Sequence, residues 1–170
     1  LNLAQRLSEP ATLVVGVDTA TVDTFKGLRT LDGELISAAA LTGANAYITE
    51  RLADEIEAQP GDTVTAFFEE APLEFLVLDV IRDSSITNQG NTLAGGMAIN
   101  IETARTLFDD PNGLDNIVVS ALGGTRGTLE LSDGVQDRLE NYLEGRPESG
   151  AEVAFTKKEF IELGELIGSV

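Results

Sequence analysis

One acidic segment of this chain has residue types and spacing that could bind calcium. Residues 109–115 (DDPNGLD) carry three aspartates and one asparagine, and Ca²⁺ in proteins takes carboxylate and amide oxygens as ligands. The order of an EF-hand, however, requires an oxygen-bearing side chain where Leu114 stands and a glutamate where Ala121 stands. The mismatch predicts a turn here and no metal site.

Two further patterns could bind phosphate or do acid–base chemistry. Gly90, Gly95 and Gly96 lack the Lys-Ser/Thr pair of a phosphate-binding loop, and they precede a strand pattern instead of opening a helix. They therefore predict a flexible loop. Glu69 and Glu70 could in principle form the carboxylate pair of a glycosidase, but such pairs arise by chance in an acidic chain, and tryptophan platforms for sugars are absent. We predict no catalytic, cofactor-binding or metal-ligating residues, and no enzyme activity.

The composition of the chain excludes several classes of function. Its 170 residues contain neither histidine nor cysteine, which removes thiol nucleophiles, histidine-based catalysis and most transition-metal sites. Acidic residues number 29 against 11 basic ones, giving a formal net charge of −18. Such a surface repels phosphate backbones and anionic lipid headgroups, so binding to nucleic acid or to the surface of a membrane is not expected. The scattered acids are typical of a solvated surface.

The elements around these residues begin with a helix, a turn and a hairpin in residues 47–81. Ile48, Leu52 and Ile56 recur every four residues and predict one apolar helical face. Residues 59–62 (QPGD) predict the turn, because proline ends a helix, glycine accepts positive φ and aspartate satisfies backbone donors. Residues 63–68 then predict a strand, and residues 73–81 (LEFLVLDVI) predict a central strand with apolar residues on both faces.

Other strand and helix patterns lie on both sides of this segment. Residues 11–17, 46–48 and 97–99 predict strands, and Asn100 is placed to cap a helix carrying Leu107 and Phe108. Phe25, Leu28 and Leu31 fall at helical spacing. Residues 116–122 and 151–155 predict strands on either side of a helix, which is the pattern of a βαβ unit. One face of that helix is marked by apolar residues from Leu131 to Leu143 at intervals of four, and the helix is expected to end at residues 145–147 (GRP).

These patterns predict an α+β fold made of two lobes. Residues 1–30 and 100–170 are expected to form a basal lobe that contains the βαβ unit, and residues 31–99 an inserted β-rich lobe. The change from hairpin signals to strand–helix–strand signals near Asn100 sets this boundary.

Read in order, several segments resemble the extracytoplasmic core domain of FtsX-like ABC transporter permeases of the MacB type. They are VVGVD (14–18), LDG (31–33), AYITERLADEIEAQPGDTV (46–64), LEFLVLDVIRDS (73–84), MAINIETARTLF (97–108) and LDNIVVSAL (114–122). The most specific part is Leu52-Ala53 followed by Gly61-Asp62. The resemblance covers most of residues 14–143.

The resemblance implies a part of a transport machine and not a catalyst. Such a domain transmits motion driven by a cytoplasmic ABC ATPase, acting through the membrane part of the protein, to a substrate or partner outside the membrane. It implies a permease homodimer or heterodimer, an extracytoplasmic adaptor or lipoprotein as a possible partner, and a location at the outer side of the cell membrane. The alternative is a free-standing secreted binding protein without catalytic activity.

The C-terminal residues give an expectation that separates these two alternatives. Thr156 and Glu159 have the spacing of a capping box, so a helix is predicted from residue 156. A helix of about four turns is marginal in water without packing or continuation. The chain also lacks an initial methionine, so we expect a fragment, with an apolar run of about 20 residues after Val170 and another before Leu1 in the natural protein.

Overall fold

The computed structural model describes residues 1–25, 27–68, 71–86, 95–113, 124–146 and 153. The chain divides into a first unit, Leu1–Asp115, and a second unit, Asn116–Val170. The strands described in the first unit are β1 (Leu13–Val17), β2 (Leu28–Arg29), β3 (Leu35–Ile36), β4 (Asn45–Thr49), β5 (Thr63–Phe68), β6 (Ala71–Ile81) and β7 (Gly96–Asn100). The helices described in it are α1 (Val22–Phe25), α2 (Glu50–Ile56) and α3 (Ile101–Leu107).

A mixed five-stranded sheet forms the centre of the first unit. Its strand order is β1-β7-β4-β6-β5. The pairs β1–β7 and β4–β6 are parallel, whereas β7–β4 and β6–β5 are antiparallel. β2 and β3 form a separate antiparallel pair. The predicted α+β fold class is therefore confirmed.

Alternating side chains of the sheet enter two separate cores. On one side, which we call the helix face, Ile48 and Ile99 pack with buried residues of α2 and α3. On the other side, the loop face, Tyr47 and Ala98 pack against Leu28, Ala38 and Leu41 from the segment between β1 and β4. Since consecutive residues of a strand point to opposite faces, both faces of β4 and β7 require apolar side chains.

The predicted helix, turn and hairpin are present as α2, β5 and β6. Thr49 caps α2, and the apolar spacing places Leu52 and Ile56 in the core of the helix face. Gly61 has φ +94°, and Asp62 accepts a hydrogen bond from the Gln59 amide at 2.8 Å, as the turn pattern predicts. β6 lies between β4 and β5, which confirms its interior position.

α2 ends before Pro60, and the N-terminal segment hydrogen-bonds to its last carbonyls. The helix stops at Ile56, and Glu57 takes the left-handed conformation with φ 49°. Asn2 is 1% exposed, and its side-chain amide donates to the carbonyls of Ile56 and Glu57 at 3.1 and 3.3 Å. These contacts satisfy carbonyls that a helix C-terminus otherwise leaves without partners.

The spacing of Phe25, Leu28 and Leu31 suggests a helix through all three residues, which is wrong beyond Phe25. α1 covers only Val22–Phe25, because Gly27 has φ +65° and its amide donates to the Val22 carbonyl. Leu28 then lies in β2 with 1% exposure, and Leu31 lies in the turn that joins β2 to β3. Two arginine side chains donate hydrogen bonds to backbone carbonyls of that turn, Arg29 to Gly33 and Arg82 to Leu31.

The described part of the second unit is mainly one helix, α4 (Gly124–Glu144). It ends just before Gly145, as predicted, and begins earlier than Leu131, the first apolar residue of the predicted helical face. The predicted strands 116–122 and 151–155 and the predicted helix from residue 156 lie outside the described residues, apart from Val153. The division into a basal and an inserted lobe remains a prediction. β1, which falls in the predicted basal lobe, shares a single sheet with β4–β7, which fall mainly in the predicted inserted lobe.

Tyr47 gives a pH-dependent prediction for this fold. Its side chain is 2% exposed and donates to the Ser37 carbonyl at 2.9 Å. Burial raises the pKa of Tyr47, and the negative charges of Asp79 and Asp23 raise it further. The stability that the neutral phenol contributes is therefore present below pH ~10, where an unfolded tyrosine ionises, and is lost as the pH rises through the higher folded pKa.

Tyr47→Phe is expected to cost about 1 kcal/mol at neutral pH, because the hydrogen bond is lost. The difference in unfolding free energy between wild type and variant should shrink above pH ~10 and then reverse. Urea denaturation followed by circular dichroism over a pH series measures it. Tyr142→Phe is the control, since Tyr142 is 57% exposed. A difference that stays constant across the series would contradict the role given to the phenol.

Candidate functional site

A shallow, solvent-open groove lies beside α3 in the first unit. Its volume is about 350 Å³. The lining comes from the turn before β4, the first half of β6 and the exposed side of α3. The lining residues are Gly43, Ala44, Leu73, Glu74, Phe75, Glu102, Thr103, Thr106 and Leu107. We call this surface the α3 groove.

Local sequence signals fix the position of α3 and thus one wall of the groove. The Asn100 side chain accepts from the Glu102 amide at 2.8 Å, which caps the helix as predicted. The same side chain donates to the Leu41 carbonyl at 2.9 Å, and Thr103 donates to the Gly43 carbonyl at 3.0 Å. These contacts bind the helix to the turn before β4, so two walls of the groove are joined by hydrogen bonds.

α3 also packs closely against β1 of the sheet. A Cβ atom on Gly16 would lie 2.7 Å from the Ala104 methyl and 3.3 Å from the Ile101 Cα. Only glycine allows the strand and the helix to approach this closely. Movement of α3 toward the sheet would therefore cause steric overlap, and movement away from it would lose buried contacts.

Charged side chains at the groove come mainly from one ion pair on α3. Glu102 is on the lining and pairs with Arg105 at 2.7 Å, and Arg105 also contacts the Gly113 carbonyl at 3.5 Å. Glu74 is on the lining as well, but it alternates with Leu73 along β6, so its side chain points to the opposite face of the sheet.

An exposed aromatic ring extends the apolar surface beyond the groove. Phe108 directly follows α3 and is 58% exposed. Its ring packs edge-on against Phe68 of β5, with centroids 5.5 Å apart. Phe108 follows Leu107, which is on the groove lining, but is not itself part of that lining. Exposed apolar surface rimmed by polar groups is typical of an interaction site.

Both hydroxyl side chains on the groove lining donate to backbone carbonyls. Thr103 donates to Gly43, and Thr106 donates to Glu102. Within the described ranges, no cluster of acidic side chains has the geometry of a metal site. What the arrangement offers is apolar contact on Leu73 and Leu107.

The candidates from the sequence do not meet at the groove. Residues 109–113 form the predicted turn, in which the Gly113 amide donates to the Asp110 carbonyl at 3.1 Å. Glu69, Glu70 and Gly90 lie outside the described residues. The flexible loop predicted for Gly95 and Gly96 is wrong at these two positions, since both are buried.

The sequence does not predict the α3 groove. The helix predicted after Asn100 carries Leu107 and Phe108, but Phe108 comes after the last helical residue and is exposed. The signal available was two consecutive large apolar residues at the end of a short helix, because one turn of helix cannot bury both on the same face. The contributions of Gly43 and Leu73 depend on the strand order and have no local signal.

No family model, curated protein or solved structure matches this chain. Within the part of the chain that the structure describes, every helix is too short or too polar to cross a bilayer.

Proposed function

We propose that this chain is the extracytoplasmic domain of an ABC transporter permease of the FtsX-like, MacB-type group. One observation supports the proposal most directly. The Leu52-Ala53 and Gly61-Asp62 signature, on which the resemblance depends, builds α2, its turn and the β5–β6 hairpin at the core of the first unit. The signature is therefore a packing motif, which suits a domain that transmits motion and does no chemistry.

The arrangement of the first unit supports a mechanical role in a second way. Hydrogen bonds and close packing join α3, the turn before β4, and β1. A domain that passes ATPase-driven motion to a partner must move as one body, because a soft connection would absorb the displacement. The partners on this proposal are a cytoplasmic ABC ATPase, a second permease chain, and an adaptor or lipoprotein outside the membrane.

Sequencing the gene on both sides of this segment is the first test. The proposal expects an apolar run of about 20 residues before Leu1 and another after Val170. The full-length protein, expressed in its host and purified in detergent, should then copurify with an ABC ATPase. Stop codons next to Val170, with a cleavable signal peptide as the sole upstream apolar segment, would overturn the proposal.

A secreted binding protein without catalytic activity is the second candidate. The α3 groove favours it, because an open groove with apolar lining residues is a surface for binding that needs no membrane part. The same gene sequence separates the two candidates. An upstream signal peptide and a stop codon near Val170 would support the binding protein.

A further inference from the structure

The outer edge of β5 already pairs with one residue of the N-terminal segment. β5 is the last strand in the order of the sheet, and no other strand of the described residues lies beside this edge. The Thr65 amide donates to the Leu1 carbonyl at 2.8 Å, and the Leu1 amino group donates to the Thr65 carbonyl at 2.9 Å. Leu1 therefore takes the place of one residue in a sixth strand.

These two hydrogen bonds fix the direction and the register of that strand. Residues that exchange both of their backbone hydrogen bonds are the hydrogen-bonded pairs of an antiparallel ladder. A chain that runs backwards from Leu1 therefore follows β5 towards its C-terminal end. In this register the second residue before Leu1 lies opposite Phe67.

Phe67 presents the next backbone groups on this edge. Because pairs alternate along an antiparallel ladder, Phe67 directs its N–H and C=O to the same outer side as Thr65. Pro72, which lies opposite Phe67 in β6, has no N–H to donate, and this agrees with that orientation. No partner for these two groups is found among the described residues. Such unpaired groups are a template for another strand.

The side chain of Phe67 favours the same pairing. It is 61% exposed, and it lies on the opposite face of the sheet from Val64 and Phe68, which belong to the core of the helix face. A residue paired with Phe67 has its own side chain on the same face, so it covers part of the exposed ring. Contacts of this kind favour a β-branched or aromatic residue.

We propose that the residues immediately before Leu1 in the natural protein form a short sixth strand, antiparallel to β5, in which the second residue before Leu1 pairs with Phe67. The inference rests on the proposed function in one point, namely that the natural chain continues before Leu1. It deepens that function, because the sixth strand joins the segment that comes from the membrane directly to the edge of the sheet. A flexible tether would absorb a displacement, whereas a paired strand passes it to β5.

Amide hydrogen exchange measured by NMR tests the pairing. One sample is the chain of 170 residues, and the other is the same chain with the few natural residues that precede Leu1. In the extended chain the Phe67 amide gains an acceptor, so it should exchange at least about tenfold more slowly. The amide of Leu1, which replaces the amino group there, should also be protected, since it donates to the Thr65 carbonyl.

Two proline variants of the extended chain separate pairing from a general effect of added residues. Proline at the second position before Leu1 lacks the N–H that bonds the Phe67 carbonyl, and its ring fills that space. Proline directly before Leu1 has its ring on the side away from β5, which an edge strand tolerates. The first variant should return Phe67 exchange to within about twofold of the unextended chain, and the second should keep most of the protection.

Three results would overturn the inference: equal exchange of the Phe67 amide in the two chains, equal protection in the two proline variants, or a mature natural protein whose first residue is Leu1. Protection of Phe67 in the unextended chain that rises with protein concentration would indicate a second copy at this edge, and would overturn it too. The proposed function is decided separately, by the apolar runs on both sides of the chain. Unchanged Phe67 exchange in a protein that has both runs contradicts only the sixth strand.

Discussion

Gly95→Ala is expected to destabilise the first unit by about 3 kcal/mol. A Cβ atom at this position would lie 2.7 Å from the N, Cα and Cβ atoms of Leu52. Two of these three atoms belong to the helix backbone, so no change of rotamer relieves the overlap. Either α2 or the start of β7 must shift, and both lie in the same core. Urea denaturation followed by circular dichroism measures the loss.

The matched control is Gly16→Ala, where the nearest atom is the side-chain methyl of Ala104 at 2.7 Å. Removing that methyl relieves part of the overlap, so the double variant Gly16→Ala with Ala104→Gly should show a favourable coupling of about 1 kcal/mol. Leu52→Ala should give Gly95→Ala no such relief, because alanine keeps the overlapping atoms. Relief there, or a Gly95→Ala protein as stable as wild type, would contradict the packing seen at Gly95.

The sequence predicted those elements whose signals lie within a few residues of each other. The cap at Asn100 and the apolar spacing of Leu52 and Ile56 are local, and the structure contains both. The positive φ of Gly61 is required by the turn itself. Helix caps, the helical repeat of apolar residues and the residues of tight turns depend on close neighbours in the chain, so they can be predicted without knowledge of the fold.

Features that depend on distant residues could not be read in this way. The Asn2 side chain that donates to the Ile56 carbonyl at the end of α2 comes from 54 residues away in the chain. The extra residue Leu78, which shifts the register between β4 and β6, is visible only once the two strands are paired. Leu28 lies three residues after Phe25, which is a helical spacing, but in the structure it belongs to β2 and is buried in the core of the loop face.

The α3 groove belongs to this second group. Leu73 and Thr106 line the same groove because Leu73 points to the helix face of the sheet, on which α3 packs. The strand order that brings them together has no sequence signature. A single sequence therefore predicts the α3 helix but not the surface that α3 forms with β6.

Thr49→Val is expected to destabilise the first unit by about 2–3 kcal/mol. Thr49 is fully buried, and its hydroxyl accepts hydrogen bonds from the Gly96 amide at 2.9 Å and the Leu52 amide at 3.4 Å. It thus caps α2 and joins that helix to β7. Valine has nearly the same shape, so the core stays filled while two buried amides lose their acceptor. The loss comes from unsatisfied donors, each of which costs about 1–3 kcal/mol when water cannot replace the partner.

Thr49→Ser separates the hydroxyl from the methyl group. Serine keeps the acceptor and loses one buried methyl, which contributes about 0.8 kcal/mol. The expected order of unfolding free energy is therefore wild type, then Thr49→Ser, then Thr49→Val. Hydrogen exchange adds a residue-level measurement, since the Gly96 amide should lose more protection in the valine variant than in the serine variant. If the valine variant were the more stable of the two, packing of the methyl and not the hydroxyl would hold α2 against β7, because only the serine variant keeps both amides bonded.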